Sequence, residues 1–371
     1  MRNKRILLLH ISNVSGHHSA SIAIENAIKI ISPKTQILTL NAFNYLHPHG
    51  EGIINSFYMF VIKRMPFLWG HLYDNSYWIK KTVWIKNAIH WFNFRKLEAL
   101  LNDFQPDAVA STQAFPCGMV ADFKQIKGIN LPLVAVLTDF TLHSYWLYRN
   151  VDYYITPSEE IKLKLIEKGI ESNRIKALGI PFNPNFSQNL TKFEARKKLN
   201  LNGSLFTILI MGGGQGIGPI KAVVKILNSL KLNLQGIIVC GTNKRLYSWI
   251  KKRLKSYNKN IRLFGYIKNV PELMSAADII ITKPGGITCA EALSKKLPMI
   301  IISPIPGQEA NNAYYLTNQN AAIKTDKPGC LTGIITDLYN RPEKLKELSE
   351  AAARISKPNA ARDIARLLLE L

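Results

Sequence analysis

The sequence is poor in cysteine and in acidic residues. Its 371 residues include four cysteines that lie far apart, without a Cys-x-x-Cys pair, so neither a zinc site nor a disulfide framework is indicated and a reducing cytosol is expected. Only 25 Asp and Glu stand against 48 Lys and Arg, a net charge of +23. A chain with 47% hydrophobic and 20% charged residues is not disordered, and its length suits two domains.

Long hydrophobic runs are also missing. The most apolar stretch, residues 53–62, falls well short of the roughly 20 residues that span a bilayer, and it ends in Lys63 and Arg64. The N-terminal run in MRNKRILLLHIS is too short for a signal peptide and no small-residue cleavage site follows it. We therefore expect a first β-strand there, and a protein that does not span the membrane.

One long stretch of the sequence has no acidic residue. Between Glu194 and Glu272 there is no Asp or Glu, whereas fifteen Lys and Arg occur there. Inside it, Leu246, Ile250 and Leu254 form one helical stripe surrounded by basic residues. A core-packed helix with a solvated basic face explains this pattern, and so does a surface for nucleic acid or anionic lipid. No zinc-finger, RRM or helix-turn-helix pattern supports nucleic acid, so no nucleic-acid partner is expected.

Residues 53–94 carry four of the six tryptophans, with Lys and Arg interleaved among the aromatic residues. Trp and Tyr favour the headgroup level of a bilayer, and each Lys or Arg near an anionic leaflet adds about 1 kcal/mol. The segment from Ile53 to Trp91 is thus a candidate for docking on an anionic membrane surface. An aromatic helical hairpin packed into the N-terminal domain explains the same residues equally well.

Two places repeat one design of apolar strand, small-residue turn and amphipathic helix. The first is KRILLLHIS–NVSGHHS–ASIAIENAIKII, and the second is LFTILIM–GGGQGIG–PIKAVVKILNSL. Each is typical of the opening of a doubly wound parallel sheet, so the pattern predicts an α/β protein with two Rossmann-like domains. Pro and Asn accumulate in PFNPNFSQNL, which places the domains at residues 1–190 and 191–371, with a terminal helix interrupted near Pro358.

Several cofactor signatures are absent. Neither turn matches Gly-x-Gly-x-x-Gly, and neither is followed about 20 residues later by the carboxylate that holds the ribose of a dinucleotide. No Walker lysine follows either turn, and the sequence has no Asp-x-Asp. We expect neither a dinucleotide oxidoreductase nor a P-loop nucleotidase, and no bound metal.

Three later segments have the composition of ligand loops. In DIIITKPGGITCAEAL, Gly285 and Gly286 follow a strand and Thr288 begins a helix, an arrangement that binds phosphate, with Lys283 adding positive charge. Thr288 and Glu291 also fit a capping box, which would be purely structural. In SPIPGQEANNA, the polar side chains of Gln308, Glu309 and Asn312 suit a polyhydroxylated ligand. In IRLFGYI, main-chain atoms can face a flat nucleobase.

Taken together, these strings resemble those of the monogalactosyldiacylglycerol synthase and processive diacylglycerol glucosyltransferase family, a branch of the MurG-like inverting enzymes. The resemblance runs from about residue 5 to residue 325. It is carried by SGHHSA, LTDFTLHSYW, GIPFNPNF, MGGGQGIG, FGYIKNVPELMSAADIIITKPGGITCAEAL and PIPGQEANNA.

The resemblance implies a GT-B fold, with two Rossmann-like domains, an interdomain cleft and a UDP-hexose held chiefly by the C-terminal domain. It implies that Glu291 holds the ribose hydroxyls and that Gln308 and Glu309 bind the sugar. The uracil would be flanked by Phe264, Gly265 and Tyr266. The diphosphate would be cradled by five residues: Gly213, Gly214, Gly286, Ile287 and Thr288.

By the same resemblance, the Gly-His motif after the first strand supplies the general base, which falls on His17. An imidazole with a pKa near 6.5 suits that task at neutral pH, and helix N-terminal amides can stabilise departing UDP in place of a metal. Weighed alone, His17 is a turn or capping residue. Asp139 in LTDF could orient or charge-balance the acceptor, or be a simple turn residue.

The expected function is transfer of glucose or galactose from its UDP derivative to 1,2-diacylglycerol, giving a β-glycosyl lipid, by a protein attached peripherally to the cytoplasmic face of a membrane. UDP-glucose or UDP-galactose would be a substrate, and no cofactor is expected. Two alternatives remain: a MurG-like transferase for a polyprenyl-diphosphate-linked sugar, and a non-catalytic lipid-binding module of the same fold.

Overall fold

The computed structural model describes residues 3–13, 15–46, 93–187 and 190–371. The aromatic segment from Ile53 to Trp91, predicted to dock on a membrane, lies outside the described residues. Contacts divide the chain into two compact units. The first comprises Met1–Pro184, Ile305–Gln308 and Asn359–Leu371, and the second comprises Asn185–Pro304 and Glu309–Pro358.

The first unit is built on a parallel sheet of six strands in the order β2-β1-β3-β4-β5-β6. The strands are β1 (Arg5–His10), β2 (Gln36–Asn41), β3 (Ala108–Ser111), β4 (Leu133–Val136), β5 (Tyr153–Ile155) and β6 (Ile175–Lys176). The chain leaves β1 toward one edge and β3 toward the other, so the strand order reverses between them. In open α/β sheets, ligands bind outside the carboxyl ends of the strands at such a switch point.

Helices cover both faces of this sheet, as a parallel sheet requires. They are α1 (Gly16–Ile31), α2 (Ala42–Leu46), α3 (93–104), α4 (Ala114–Lys127) and α5 (Glu159–Glu167). Short 3-10 turns lie at Ser144–Trp146, Ser172–Arg174 and Pro184–Ser187.

The second unit repeats the design with a parallel sheet in the order β12-β11-β10-β7-β8-β9. Its strands are β7 (Phe206–Met211), β8 (Leu234–Val239), β9 (Ile261–Phe264), β10 (Ile279–Thr282), β11 (Met299–Ile302) and β12 (Ala322–Thr325). Here the order reverses between β7 and β10. The expectation of two Rossmann-like α/β domains is confirmed.

The remaining helices alternate with these strands and then run to the last residues. They are α6 (Lys192–Lys198), α7 (Ile220–Ser229), α8 (Lys244–Lys251), α9 (Val270–Ala276), α10 (Gly286–Ser294), α11 (Gln308–Asn318), α12 (Leu331–Asn340), α13 (Pro342–Ile355) and α14 (Ala360–Glu370). Further 3-10 turns lie at Leu254–Ser256 and Pro328–Cys330.

The apolar strand β1 feeds two cores, because successive side chains point to opposite faces of the sheet. Leu7 and Leu9 pack with residues of α3 and α4, whereas Ile6 and Leu8 pack with residues of α1 and α14. All four leucine and isoleucine side chains are fully buried. A strand buried on both faces therefore reads as an uninterrupted apolar run, as in RILLLH.

The last helix does not follow the simple division at residue 190. The sequence places it in the C-terminal domain, but α14 packs against α1, and its Ile364 and Leu368 belong to the core of the first unit. The Lys4 Nζ donates a hydrogen bond of 2.7 Å to the carbonyl of Leu369. The strong amphipathic pattern of α14 indicates burial, but not which sheet it covers. The interruption near Pro358 is present, since α13 ends at Ile355 and α14 begins at Ala360.

We expect Gly118→Ala to destabilise the protein. A Cβ on Gly118 in α4 would overlap the ring of Tyr148, which is 8% exposed and whose carbonyl accepts a hydrogen bond of 2.8 Å from Tyr154 Oη. Overpacking of this kind costs about 1–3 kcal/mol. Gly333→Ala in α12 is the control, because nothing lies near its Cβ position, and it should add about 0.5–1 kcal/mol of stability. Urea unfolding measures both, and equal midpoints would contradict the packing described.

Candidate active site

His17 lies at the switch point of the first sheet. It belongs to the first turn of α1, directly after β1, while Thr112 follows β3 and Thr138 follows β4. The Nδ1 atom of His17 is 2.8 Å from the carbonyl oxygen of Thr112 and 3.0 Å from Thr138 Oγ1. Three strand ends thus converge on one imidazole.

This geometry decides which nitrogen of His17 can act as a base. A carbonyl oxygen only accepts hydrogen bonds, so Nδ1 must carry the proton that is donated to Thr112. In the neutral ring, Nε2 then keeps its lone pair. Burial lowers the pKa of His17 below 6.5, and the bond to the Thr112 carbonyl opposes that shift only in part. His17 is therefore neutral at neutral pH, with Nε2 ready to take a proton.

Local capping fixes where His17 stands on its helix. Ser15 is the N-cap of α1, and its hydroxyl accepts a hydrogen bond from the backbone N–H of His18. The same hydroxyl donates to the carbonyl of Ile11, which ties the turn back to β1. An N-cap serine is strongly preferred at this position, so Ser-Gly-His places the imidazole in the first turn.

A second histidine of this region was not singled out from the sequence. His10 ends β1, is 3% exposed, and its ring centroid lies 4.6 Å from that of His18. Its buried Nδ1 has no hydrogen-bond partner among the described residues. Burial, followed by the nearby His18, lowers the pKa of His10 to about 4. The available signal was three histidines within nine residues, the first of them at the end of an apolar strand.

Asp139, which follows Thr138, accepts a hydrogen bond from the side-chain amide of Gln308. Gln308 opens α11, but residues 305–308 group with the first unit. The sequence predicted an acceptor-side role for Asp139 and a sugar-binding role for Gln308. The structure brings these two side chains together.

The switch point of the second sheet is flanked by two glycine-rich turns. One follows β7, where Gly213, Gly216 and Gly218 adopt φ values of +67°, +59° and +119°, a conformation that favours glycine. The other follows β10 and leads into α10 with Gly285 as the N-cap. The predicted phosphate-binding residues of both turns thus lie at the carboxyl ends of adjacent strands.

The N-terminus of α10 carries no side-chain cap and no acidic residue in its first turn. Thr288 is the third residue of the helix, so the capping box considered for Thr288 and Glu291 is not formed. Gly286, Ile287 and Thr288 instead contribute main-chain amides to the positive end of the helix dipole. Such an end favours an anion.

Lys283 brings a positive charge to the same place. Its Nζ pairs at 2.6 Å with Glu309, and its Cε lies 3.3 Å from the Cβ position on Gly213. The amide of Asn312, a fully buried side chain, donates a hydrogen bond of 3.0 Å to the carbonyl of Pro284. These contacts join the two glycine turns to α11, so Glu309 and Lys283 stand beside the α10 N-terminus.

Glu291 has an unusual carboxyl group. No described residue hydrogen-bonds to its side chain, and burial raises its pKa to about 8. Glu291 is only partly exposed, and a carboxyl without a hydrogen-bond partner in such surroundings favours the protonated form unless a ligand binds it. Glu291 is therefore available to hydroxyl groups.

The residues predicted to flank the uracil lie at the end of β9. Phe264 is its last residue, and its carbonyl accepts a hydrogen bond of 2.9 Å from the N–H of Cys240, next to β8. Gly265 follows, and Tyr266 is 63% exposed. An exposed aromatic ring and open main chain after a strand can stack on a flat base.

Within the described ranges, 3–13, 15–46, 93–187 and 190–371, no helix is long and apolar enough to cross a bilayer. The same residues contain no cluster of three or more His, Cys, Asp or Glu placed to hold a metal ion.

Comparison with solved structures identifies the class of fold. MurG of Acinetobacter baumannii has a TM-score of 0.64 at 16% identity, covering 99% of this chain and 100% of that one. Anabaena Alr3699/HepE, solved in complex with UDP-glucose, has a TM-score of 0.58 at 15% identity, covering 99% and 100%. The chain has the GT-B fold of glycosyltransferases, as predicted.

Sequence comparison is more specific. Residues 17–182 match the family model of monogalactosyldiacylglycerol (MGDG) synthase, and residues 207–368 match the glycosyltransferase family 28 C-terminal domain. The processive diacylglycerol beta-glucosyltransferase of Bacillus cytotoxicus is 30% identical, covering 100% of this chain and 94% of the relative. That of Staphylococcus epidermidis is 29% identical, covering 100% and 93%. The chain belongs to this family of diacylglycerol glycosyltransferases.

The histidine geometry leads to a titration prediction. We expect His17 to titrate below pH 6.5, with its neutral form protonated on Nδ1, and His10 to titrate near pH 4. His18→Ala should raise the pKa of His10, because a neighbouring positive charge is removed, and leave His17 unchanged. Nitrogen-15 NMR of the imidazoles measures the pKa values of His10 and His17 and the tautomer of His17. A neutral His17 protonated on Nε2 would contradict the assignment.

Proposed function

We propose that this chain is an inverting hexosyltransferase that moves glucose from UDP-glucose to the hydroxyl of 1,2-diacylglycerol, with galactose from UDP-galactose as the alternative sugar. The observation that carries the proposal is the full-length similarity to relatives named processive diacylglycerol beta-glucosyltransferase. The arrangement around His17 and around α10 supplies the two chemical groups that such a transfer needs.

The acceptor chemistry is assigned to the first unit. His17 Nε2 takes the proton of the diacylglycerol hydroxyl as its oxygen attacks the anomeric carbon. The Thr112 carbonyl holds Nδ1–H, and this bond strengthens as the ring becomes an imidazolium. Because a single displacement inverts the anomeric centre, an α-linked donor gives a β-glycoside. Asp139, which accepts the amide hydrogen bond of Gln308, is assigned to orienting the acceptor side.

The donor chemistry is assigned to the second unit. The bond between the anomeric carbon and the diphosphate breaks as the acceptor oxygen attacks, and the electron pair leaves with UDP. We assign stabilisation of this charge to the amides of the α10 N-terminus and to Lys283, without a resident metal ion. Lys283 is paired with Glu309. A bound diphosphate would compete for the lysine and leave the carboxylate of Glu309 to accept sugar hydroxyls.

The remaining donor contacts follow from positions on the second sheet. Gly213 and Gly214 let the main chain approach the diphosphate, and Glu291 accepts the ribose hydroxyls. Phe264 to Tyr266 are assigned to the uracil. Gln308 and Asn312 are assigned to the sugar side, Asn312 by holding the turn at Pro284.

The acceptor also implies a location. Diacylglycerol is buried in lipid with its hydroxyl at the interface, so the protein must work at a membrane surface. We place it peripherally on the cytoplasmic face, where nucleotide sugars are made, with an anionic leaflet as the partner of its large positive charge.

The deciding experiment offers labelled UDP-glucose or UDP-galactose together with diacylglycerol or with a polyprenyl-diphosphate sugar. We expect label in a β-glucosyl diacylglycerol, identified by mass spectrometry and sugar analysis. His17→Ala should lower the rate about 10²- to 10⁴-fold, because the general base is lost. His18→Ala is the matched control and should keep most of the activity.

Label only in the polyprenyl product would contradict the proposed acceptor. Full activity of His17→Ala would contradict the proposed base. Absence of transfer to either acceptor, with lipid binding intact, would favour a non-catalytic module.

Glu291 gives an independent prediction on donor binding. With its pKa raised to about 8, its carboxyl is mostly protonated at pH 7 before UDP binds. Ribose hydroxyls that donate to the carboxylate require it to lose that proton. Calorimetry in buffers of different ionisation enthalpy should therefore detect release of roughly one proton per UDP at pH 7, and almost none at pH 9.

The control variant for this measurement is Glu291→Gln, which keeps the shape but cannot ionise. It should bind UDP more weakly and release no proton from this site. Proton release unchanged in Glu291→Gln would show that another group is responsible.

A further inference from the structure

The second unit has a strongly basic surface that the transfer reaction does not use. It is formed by α7, by α8 and by the residues after α8. Eight exposed cations define this C-terminal basic surface: Lys221, Lys225, Lys244, Arg245, Lys251, Lys252, Arg253 and Lys255. None of them forms an ion pair with a carboxylate of the described residues.

A partly exposed tryptophan joins the two helices of this surface. Lys221 and Lys225, four residues apart on α7, have their Nζ atoms 5.3 and 5.9 Å from the ring centroid of Trp249 on α8. The Arg253 guanidinium lies 4.2 Å from the same centroid. The cations of α7 and of α8 therefore belong to one continuous patch, and their charges add.

Other helices of the same chain treat their lysines differently. Lys29 pairs with Glu25 on α1, Lys164 with Glu160 on α5, and Lys346 approaches Glu350 at 3.9 Å on α13. Each pair is spaced i,i+4, the common way to solvate a helix face with balanced charge. The basic surface has no such balance, and unpaired like charges repel one another. Solvation of a helix face explains the presence of lysines, but it does not explain why acidic residues are absent from this part of the sequence.

The aromatic residues of the patch distinguish between two anionic partners. Surfaces that bind single-stranded nucleic acid combine cations with exposed aromatic rings on which bases stack. Tyr247, Trp249 and Tyr257 are only partly exposed here, and cations lie over the ring of Trp249. A bilayer needs no stacking platform, since its phosphates present a plane of negative charge to all the lysines at once.

We propose that the C-terminal basic surface docks on the anionic phospholipid headgroups of the bilayer that contains the acceptor. This inference rests on the proposed function for the presence of a bilayer, but it assigns the contact to residues outside both substrate sites. Each Lys or Arg near an anionic surface contributes about a fivefold gain in partitioning, so a few of these eight suffice for reversible attachment.

The test uses the full-length protein with Lys252→Glu and Lys255→Glu together. Both side chains are exposed and neither lies over the Trp249 ring, so folding should be unaffected, which thermal unfolding checks. Co-sedimentation with vesicles of phosphatidylcholine and phosphatidylglycerol should fall at least about tenfold. The control variant, Lys346→Glu with Lys357→Glu, changes the net charge equally and should bind as the parent protein does.

Equal binding of both double variants to anionic vesicles would overturn the proposal. It would also be overturned if the Lys252 and Lys255 variant lost binding to single-stranded RNA but not to vesicles. Glucosyl transfer to diacylglycerol in neutral detergent micelles is measured in parallel. If the Lys252 and Lys255 variant transfers glucose at the parental rate but binds vesicles more weakly, the result supports docking by the C-terminal basic surface. If the parent protein itself shows no transfer, the result counts against the proposed function alone.

Discussion

The reversal of strand order beside the first strand of each sheet is the constraint on which the sites depend. At β1 and β3, and again at β7 and β10, adjacent parallel strands send their connections in opposite directions. The loops at the carboxyl ends therefore part and leave main-chain groups unobstructed. One reversal places a main-chain carbonyl against His17, and the other places Lys283, which precedes α10, against Gly213 of the neighbouring turn. The same topology thus places the proposed general base in one unit and the proposed diphosphate-binding residues in the other.

Much of the fold is readable from the sequence, because a strand covered on both faces must be apolar throughout. RILLLH and FTILIM, each followed by a turn of small residues, have few interpretations other than a buried strand. Two edge strands are much harder to predict from the sequence. β2, QILTLN, is mostly only partly buried, and β12, AIKT, has only two apolar residues, followed by two polar ones. Edge strands have one neighbour and less cover, so their sequences carry a weaker signal.

The sequence suggests the residue types of the candidate site, whereas only the structure shows the contacts among them. The string SGHHSA locates His17, yet only the fold shows that Thr112, 95 residues away, sets its tautomer. Similarly, Lys283 pairs with Glu309, and Asp139 pairs with Gln308. Both pairs join loops that are distant in the sequence, so neither is visible without the fold. His10 was overlooked because a histidine at the end of a strand is ordinary, and the burial of its Nδ1 atom becomes visible only in the structure.

The packing of α14 against α1 has a consequence for synthesis of the chain. One core of the first unit is completed by Ile364 and Leu368, so α1 is synthesised long before the helix that covers it. Until then, α1 and the underside of β1 retain uncovered apolar surface, whereas the sheet of the second unit closes from residues made consecutively. Domains usually mature in order of translation. Here the first unit can complete its core only after the residues of the second unit have been synthesised.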